Sequence, residues 1–181
     1  MGPMGLCSDK SPIESTLVLD FSQATAVLGW GAIDDRVMGG VSQSALAHHP
    51  DGHAVFAGAV SLDNRGGFAS VRHPGLRLGD ALTVAYRLHV RGDGKRYKLN
   101  LRMDGDFDGV NHQAVFQPPA GRWVDIVLPL GMFSPRLRGR AMPDAPALKP
   151  ALVCQVGWMI GDGQAGPFSL DIKSLVCLTK G

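Results

Sequence analysis

Apolar and polar positions alternate with period two along most of the chain. Leu17, Leu19 and Phe21 mark a first run. Leu82, Val84, Tyr86, Leu88 and Val90 alternate with Thr83, Ala85, Arg87, His89 and Arg91, and Tyr97, Leu99, Leu101 and Met103 with Lys98, Asn100, Arg102 and Asp104. Gly92-Asp93-Gly94 lies between these two runs, a pattern that predicts a β-hairpin over 82–104 with one buried and one polar face. Further runs at 41–48 and 54–62 flank Pro50-Asp51-Gly52, 68–72 forms a short strand, 112–117 and 123–130 flank a Pro-Pro-Ala-Gly stretch, and 153–160 and 168–178 flank a Gly-rich turn. This spacing predicts about nine or ten strands in a β-sandwich or barrel. Gly131 to Pro150 lacks periodicity and reads as a long surface loop.

Composition sharpens this picture. The 181 residues include 24 glycines and 12 prolines, yet 45% are hydrophobic. A normal core with many turns favours an all-β chain, because glycine costs about 1 kcal/mol and proline about 3 kcal/mol in a helix interior. The expected organisation is a flexible lead-in over 1–15 and a single β-sandwich domain over 16–178. Net charge is +2, too balanced for a dedicated nucleic-acid binder. Cys7, Cys154 and Cys177 form neither a disulfide framework nor a zinc motif. No secretory or Arg-rich transit signal opens the sequence, and no apolar run is long enough to span a membrane. The expectation is a cytoplasmic protein that needs no cofactor or metal.

Five segments carry candidate chemistry. Asp34-Asp35-Arg36-Val37-Met38-Gly39-Gly40-Val41-Ser42-Gln43-Ser44 combines two carboxylates, a glycine pair and two hydroxyls; it suits a ligand or a tight loop whose Asp side chains bind local amides. In Gly66-Gly67-Phe68-Ala69-Ser70-Val71-Arg72, Ser70 and Arg72 share a strand face. A symmetric 82–104 hairpin would set Arg87, His89 and Arg91 against Lys98, Asn100 and Arg102, a like-charged face needing solvent, carboxylates or an anionic ligand. Asp104-Gly105-Asp106-Phe107-Asp108-Gly109 starts like an EF-hand loop but has Val115 where the bidentate Glu belongs. Arg136-Leu137-Arg138-Gly139-Arg140 is basic. His48, His49 and His53 cluster without an accompanying ligand of metal spacing. No nucleophile elbow, zincin or phosphate-loop motif occurs.

Taken in order, these segments resemble the complex I intermediate-associated protein (thirty-kilodalton) family, in its compact bacterial form. The resemblance runs from Trp30 with Asp34 to Ser42, through Gly66 to Arg72, Gly92-Asp93-Gly94 with Tyr97, Leu128-Pro129, Phe133 and Arg138-Gly139-Arg140, to Gly157 and Gly166-Pro167-Phe168. It implies an all-β, galactose-binding-like jelly-roll β-sandwich. It also implies a non-catalytic binding or assembly module that presents a polar sheet face to a protein partner, such as a respiratory-complex subunit or assembly factor. The expected binding residues are Asp34, Asp35, Met38, Ser42, Ser70, Arg72, Asp93, Asn100, Arg102, Arg138 and Arg140. Two alternatives stand beside this: a carbohydrate or small polar-ligand module, and a small acid–base enzyme using Asp34/Asp35 with Arg72 and His89 or His112.

Overall fold

The structure is a computed structural model describing residues 12–181; the side chains of Val37 and Met38, and all of residues 1–11 including Cys7, lie outside the described residues. Thirteen strands run as β1 (Ile13–Asp20), β2 (Gly31–Ala32), β3 (Gln43–His49), β4 (His53–Val60), β5 (Ala69–Pro74), β6 (Thr83–Arg91), β7 (Tyr97–Arg102), β8 (Asn111–Phe116), β9 (Trp123–Pro129), β10 (Ser134–Leu137), β11 (Arg140–Ala141), β12 (Gln155–Ile160) and β13 (Gly166–Lys180). The first strand therefore begins inside the stretch expected as a lead-in. Every strand pairing is antiparallel.

Two sheets face each other. The first has the order β3-β4-β13-β6-β9, with β1 also pairing β13. The second has the order β11-β10-β8-β7-β12-β5-β2. The period-two pattern sends alternate residues into the space between the sheets. Phe56, Tyr86, Leu88, Leu170 and Ile172 enter from the first sheet; Val71, Leu99, Leu101, Trp158 and Ile160 enter from the second, all at most 1% exposed. Phe56 and Phe168 both pack against Tyr97 across the interface. Burial of these side chains from both inner faces is the main stabilising term.

The 82–104 hairpin is not formed. β6 lies in the first sheet between β13 and β9, whereas β7 lies in the second between β12 and β8. Residues 92–96 cross from one sheet to the other. Alternation specifies which face a residue takes and is silent about its partner strand. The like-charged face expected from that hairpin disappears with it. Across from β6 stand carboxylates: Arg91 Nε donates to Asp171 at 2.7 Å, and His89 Nδ1 lies 2.9 Å from Asp125. The chain also crosses between sheets from β1 to β2, β2 to β3, β4 to β5, β5 to β6, β8 to β9, β9 to β10 and β12 to β13, so the consecutive strands that pair directly are β3–β4 around Gly52, β7–β8 and β10–β11. The segment 131–150 departs from a plain loop too, since β10 and β11 form a small hairpin on the edge of the second sheet.

Candidate functional site

The Asp34-Asp35 segment is a fastening between the sheets. Asp35 is fully buried. Its carboxylate accepts from the Ser42 amide at 2.9 Å, the Ser42 hydroxyl at 2.5 Å and the Gly67 amide at 2.7 Å. Asp34 accepts from the Ser44 amide at 3.1 Å, the Ser44 hydroxyl at 2.5 Å and the Ser70 amide at 3.0 Å. Ser42 is also fully buried and its hydroxyl accepts from the Ser61 amide at 2.9 Å. Together the two carboxylates tie the start of β3, in the first sheet, to β5 and its preceding turn, in the second. Gly40 and Gly66 are required here because a Cβ at either position would overlap the Asp35 carboxylate. Burial pushes the Asp35 carboxyl upward, but the hydrogen bonds from Ser42 and Gly67 outweigh it and leave the group below its ordinary value.

Asp34, Asp35 and Ser42 thus spend their oxygens inside the fold. Met38 closes the single turn Asp35–Met38, and its side chain is outside the described residues. Asp93 accepts from the amides of Lys95 and Ser169 at 3.1 and 2.9 Å, holding the β6–β7 crossing.

A different set converges on the outer face of the second sheet. Val71, Leu99, Val156 and Trp158 point into the core, so the residues between them point out. In the strand register Gly157 stands between Arg72 on β5 and Asn100 on β7, and Gln155 stands opposite Arg102. Ser70, Arg72, Asn100, Arg102 and Gln155 wall a shallow trough with Gly157 as its floor. Glycine in a central strand weakens a sheet and marks close approach of another group. The loop 103–110 closes one end of this trough. Arg72 Nη1 donates to the Phe107 carbonyl at 2.8 Å, with its guanidinium 5.1 Å from the Phe107 ring centre. Arg102 Nη1 donates to the Gly109 carbonyl at 2.6 Å, and Gln155 donates to the Asp104 and Asp106 carbonyls. Arg138 pairs with Asp108 through Nε and Nη2, anchoring the loop from the β10–β11 turn, and Arg140 lies exposed beside it.

Burial lowers the Arg72 guanidinium to about 10, with the nearby charge of Arg102 adding to the effect. Burial likewise lowers Arg102, opposed by Asp104 and Asp108. Neither guanidinium forms an ion pair within salt-bridge distance among the described residues. Asn100 Oδ1 is buried without a hydrogen-bond partner, while its Nδ2 faces the Met159 sulfur at 3.5 Å.

The structure therefore brings Ser70, Arg72, Asn100 and Arg102 together, with Arg138 at the rim. It leaves Asp34, Asp35, Ser42 and Asp93 outside the trough. Gln155 escapes a reading of sequence motifs, whereas Gly157, part of the family resemblance, is placed as the floor. The acid–base constellation is not assembled, because His89 sits on the first sheet beside Asp125 and His112 Nε2 is 3.0 Å from the Pro146 carbonyl. No cluster of three or more metal-ligating side chains occurs among the described residues, and His48, His49 and His53 do not form one. No helix among them is long and apolar enough to cross a membrane.

Two antiparallel sheets joined by repeated crossings, with a polar trough on one outer face, define a galactose-binding-like jelly-roll sandwich of the kind seen in carbohydrate-binding modules. The family 11 carbohydrate-binding module of the cellulosomal cellulase Lic26A-Cel5E of Clostridium thermocellum is similar over 93% of this chain and 96% of its own, with a TM-score of 0.69 at 16% identity. The Clostridium thermocellum family 11 module in complex with a β-1,3-1,4-mixed-linked tetrasaccharide is similar over 90% and 94%, with a TM-score of 0.65 at 17% identity. By sequence the chain belongs to the Complex I intermediate-associated protein 30 (CIA30) family, whose model matches residues 19–172. The mitochondrial Complex I intermediate-associated protein 30 of Drosophila melanogaster is 26% identical over 89% of this chain. The matched region spans 62% of that relative's length.

Proposed function

We propose that this protein is a non-catalytic binding module that acts in complex I assembly by presenting the outer face of its second sheet to a protein partner. It serves as a chaperone-type assembly factor, in a cytoplasmic setting compatible with the free thiols of Cys154 and Cys177. The observation that carries this reading is the Arg72–Asn100–Arg102 trough, whose guanidiniums hydrogen-bond only to backbone carbonyls among the described residues and whose floor is a glycine. Membership of the CIA30 family supports an assembly role.

The carbohydrate reading has less support from the same face. Sugars stack on exposed flat rings, but Trp158, Tyr86 and Tyr97 are fully buried in the core, and the exposed ring at the trough, Phe107, lies against the Arg72 guanidinium. Trp123 stands on the first sheet against His89 and Arg91.

A photo-crosslinking residue in place of Gln113, on the outer face beside Asn100, tests the proposal in the cells that make the protein. Crosslinks to complex I subunits or their assembly intermediates are expected. They should fall about tenfold or more in Arg102→Ala, as for a central interface residue. The same crosslinker at Val127, on the other sheet, should give none. Equal crosslinking from both positions, or saturable glycan binding without protein crosslinks, would discard the reading.

A further inference from the structure

We infer that the group bound in the trough is a carboxylate, presented by an Asp or Glu residue of the protein partner; this rests on the reading of the trough as the docking face. Three features lead to it. First, Arg102 is close enough to Arg72 to disfavour its charged form, yet each guanidinium has only one neutral carbonyl as a hydrogen-bond partner. The remaining Nε and Nη2 donors of both have none among the described residues. A planar carboxylate accepts from such paired donors, and guanidinium pairs it bidentately.

Second, the floor at Gly157 leaves the space between Arg72 and Asn100 without a side chain. A short acidic side chain can reach the sheet there. Third, Asn100 Oδ1 is a buried acceptor with no donor. An amino acid within a peptide offers a carboxylate and a backbone N–H a few ångströms apart, so one residue satisfies both needs once the Asn100 amide turns toward the trough. Free phosphate also carries an O–H donor, but it is tetrahedral rather than planar and near neutral pH much of it bears a second negative charge. Its second charge would also meet Asp104, Asp106 and Asp108 of the covering loop, two of which already act on Arg102.

The test is a side-chain amide and guanidinium NMR titration of the intact protein with N-acetyl-glutamate N-methylamide, its glutamine counterpart, glucuronate and inorganic phosphate. Saturable shifts of the Arg72, Arg102 and Asn100 signals are expected with the glutamate compound at about millimolar dissociation constant. Saturation should be about tenfold weaker with the glutamine compound and with phosphate. Arg138 and Arg140 should not move. Asn100→Asp, which places a like charge in the trough without removing either loop anchor, should abolish the response, as should Arg72→Gln.

Absence of saturable shifts at Arg72 and Arg102, or equal saturation by the glutamine compound, would overturn the inference. Tighter saturation by glucuronate or phosphate would overturn the peptide source. Crosslinking from position 113 that persists in Asn100→Asp would remove the carboxylate while leaving the docking face. Loss of crosslinking from position 113 in the parent protein would remove the docking face itself.

Discussion

Asp35→Ala is expected to lower the unfolding free energy by about 4 kcal/mol and the midpoint of thermal unfolding by about 10 °C. The carboxylate satisfies two backbone amides and one hydroxyl in a site closed to water. Removing it strands the Ser42 and Gly67 donors, and each orphaned buried donor costs about 1–3 kcal/mol. Urea denaturation at neutral pH measures the loss directly. The pH dependence supplies an independent check. The folded Asp35 carboxyl lies below its ordinary value, burial opposing and the Ser42 and Gly67 hydrogen bonds prevailing. Its stabilisation is therefore complete above the unfolded-state value of about 3.9 and is lost as pH falls through the lower folded value. Wild-type protein should lose stability below about pH 4, and Asp35→Asn should flatten that part of the curve. A variant of wild-type stability at pH 7 would show that Asp35 is not a fastening.

Gly40→Ala is expected to cost about 2–3 kcal/mol, with most of that cost disappearing when Asp35 is already alanine. The three atoms nearest an added Cβ at Gly40 all belong to Asp35, two of them in the carboxyl group. A free side chain would swing aside, but this one is held by three hydrogen bonds. The backbone at Gly40 lies outside the left-handed region, so the penalty is steric rather than conformational. The double mutant should therefore be no more than about 1 kcal/mol less stable than Asp35→Ala, a strong departure from additivity. Additive losses in a denaturation cycle would show that Gly40 is needed for some other reason.

Which parts of this were legible in the sequence follows from what each signal encodes. Period two located the strands and assigned Ser70 and Arg72, and likewise Asn100 and Arg102, to polar faces. It did not reveal that β6 and β7 belong to opposite sheets, because Tyr86 and Leu99 alternate in the same way whichever strand lies beside them. The β10–β11 hairpin was hidden for a different reason. Its turn sets Arg138 and Gly139 both at positive φ (50° and 79°), a geometry usually signalled by Asn or Asp before Gly. The paired aspartates show a further gap. Residue type and spacing cannot distinguish a carboxylate that faces solvent from one enclosed by Ser42 and Gly67. The EF-hand-like loop shows the reverse: its Asp spacing suggested a cation, while its carbonyls hold Arg72, Arg102 and Gln155.

The position of β13 at the centre of the first sheet bears on how the molecule is made. This strand pairs with β4 along its first half, β1 along its second and β6 along its other edge, and Ile13 is registered with Lys180. A chain emerging from the ribosome holds β1, β4 and β6 long before their common partner exists. Until β13 appears, β1 has no partner strand, and the β3–β4 and β6–β9 pairs each keep one edge open. A chain broken off before β13 thus lacks the one strand that joins β1, the β3–β4 pair and the β6–β9 pair into a single sheet.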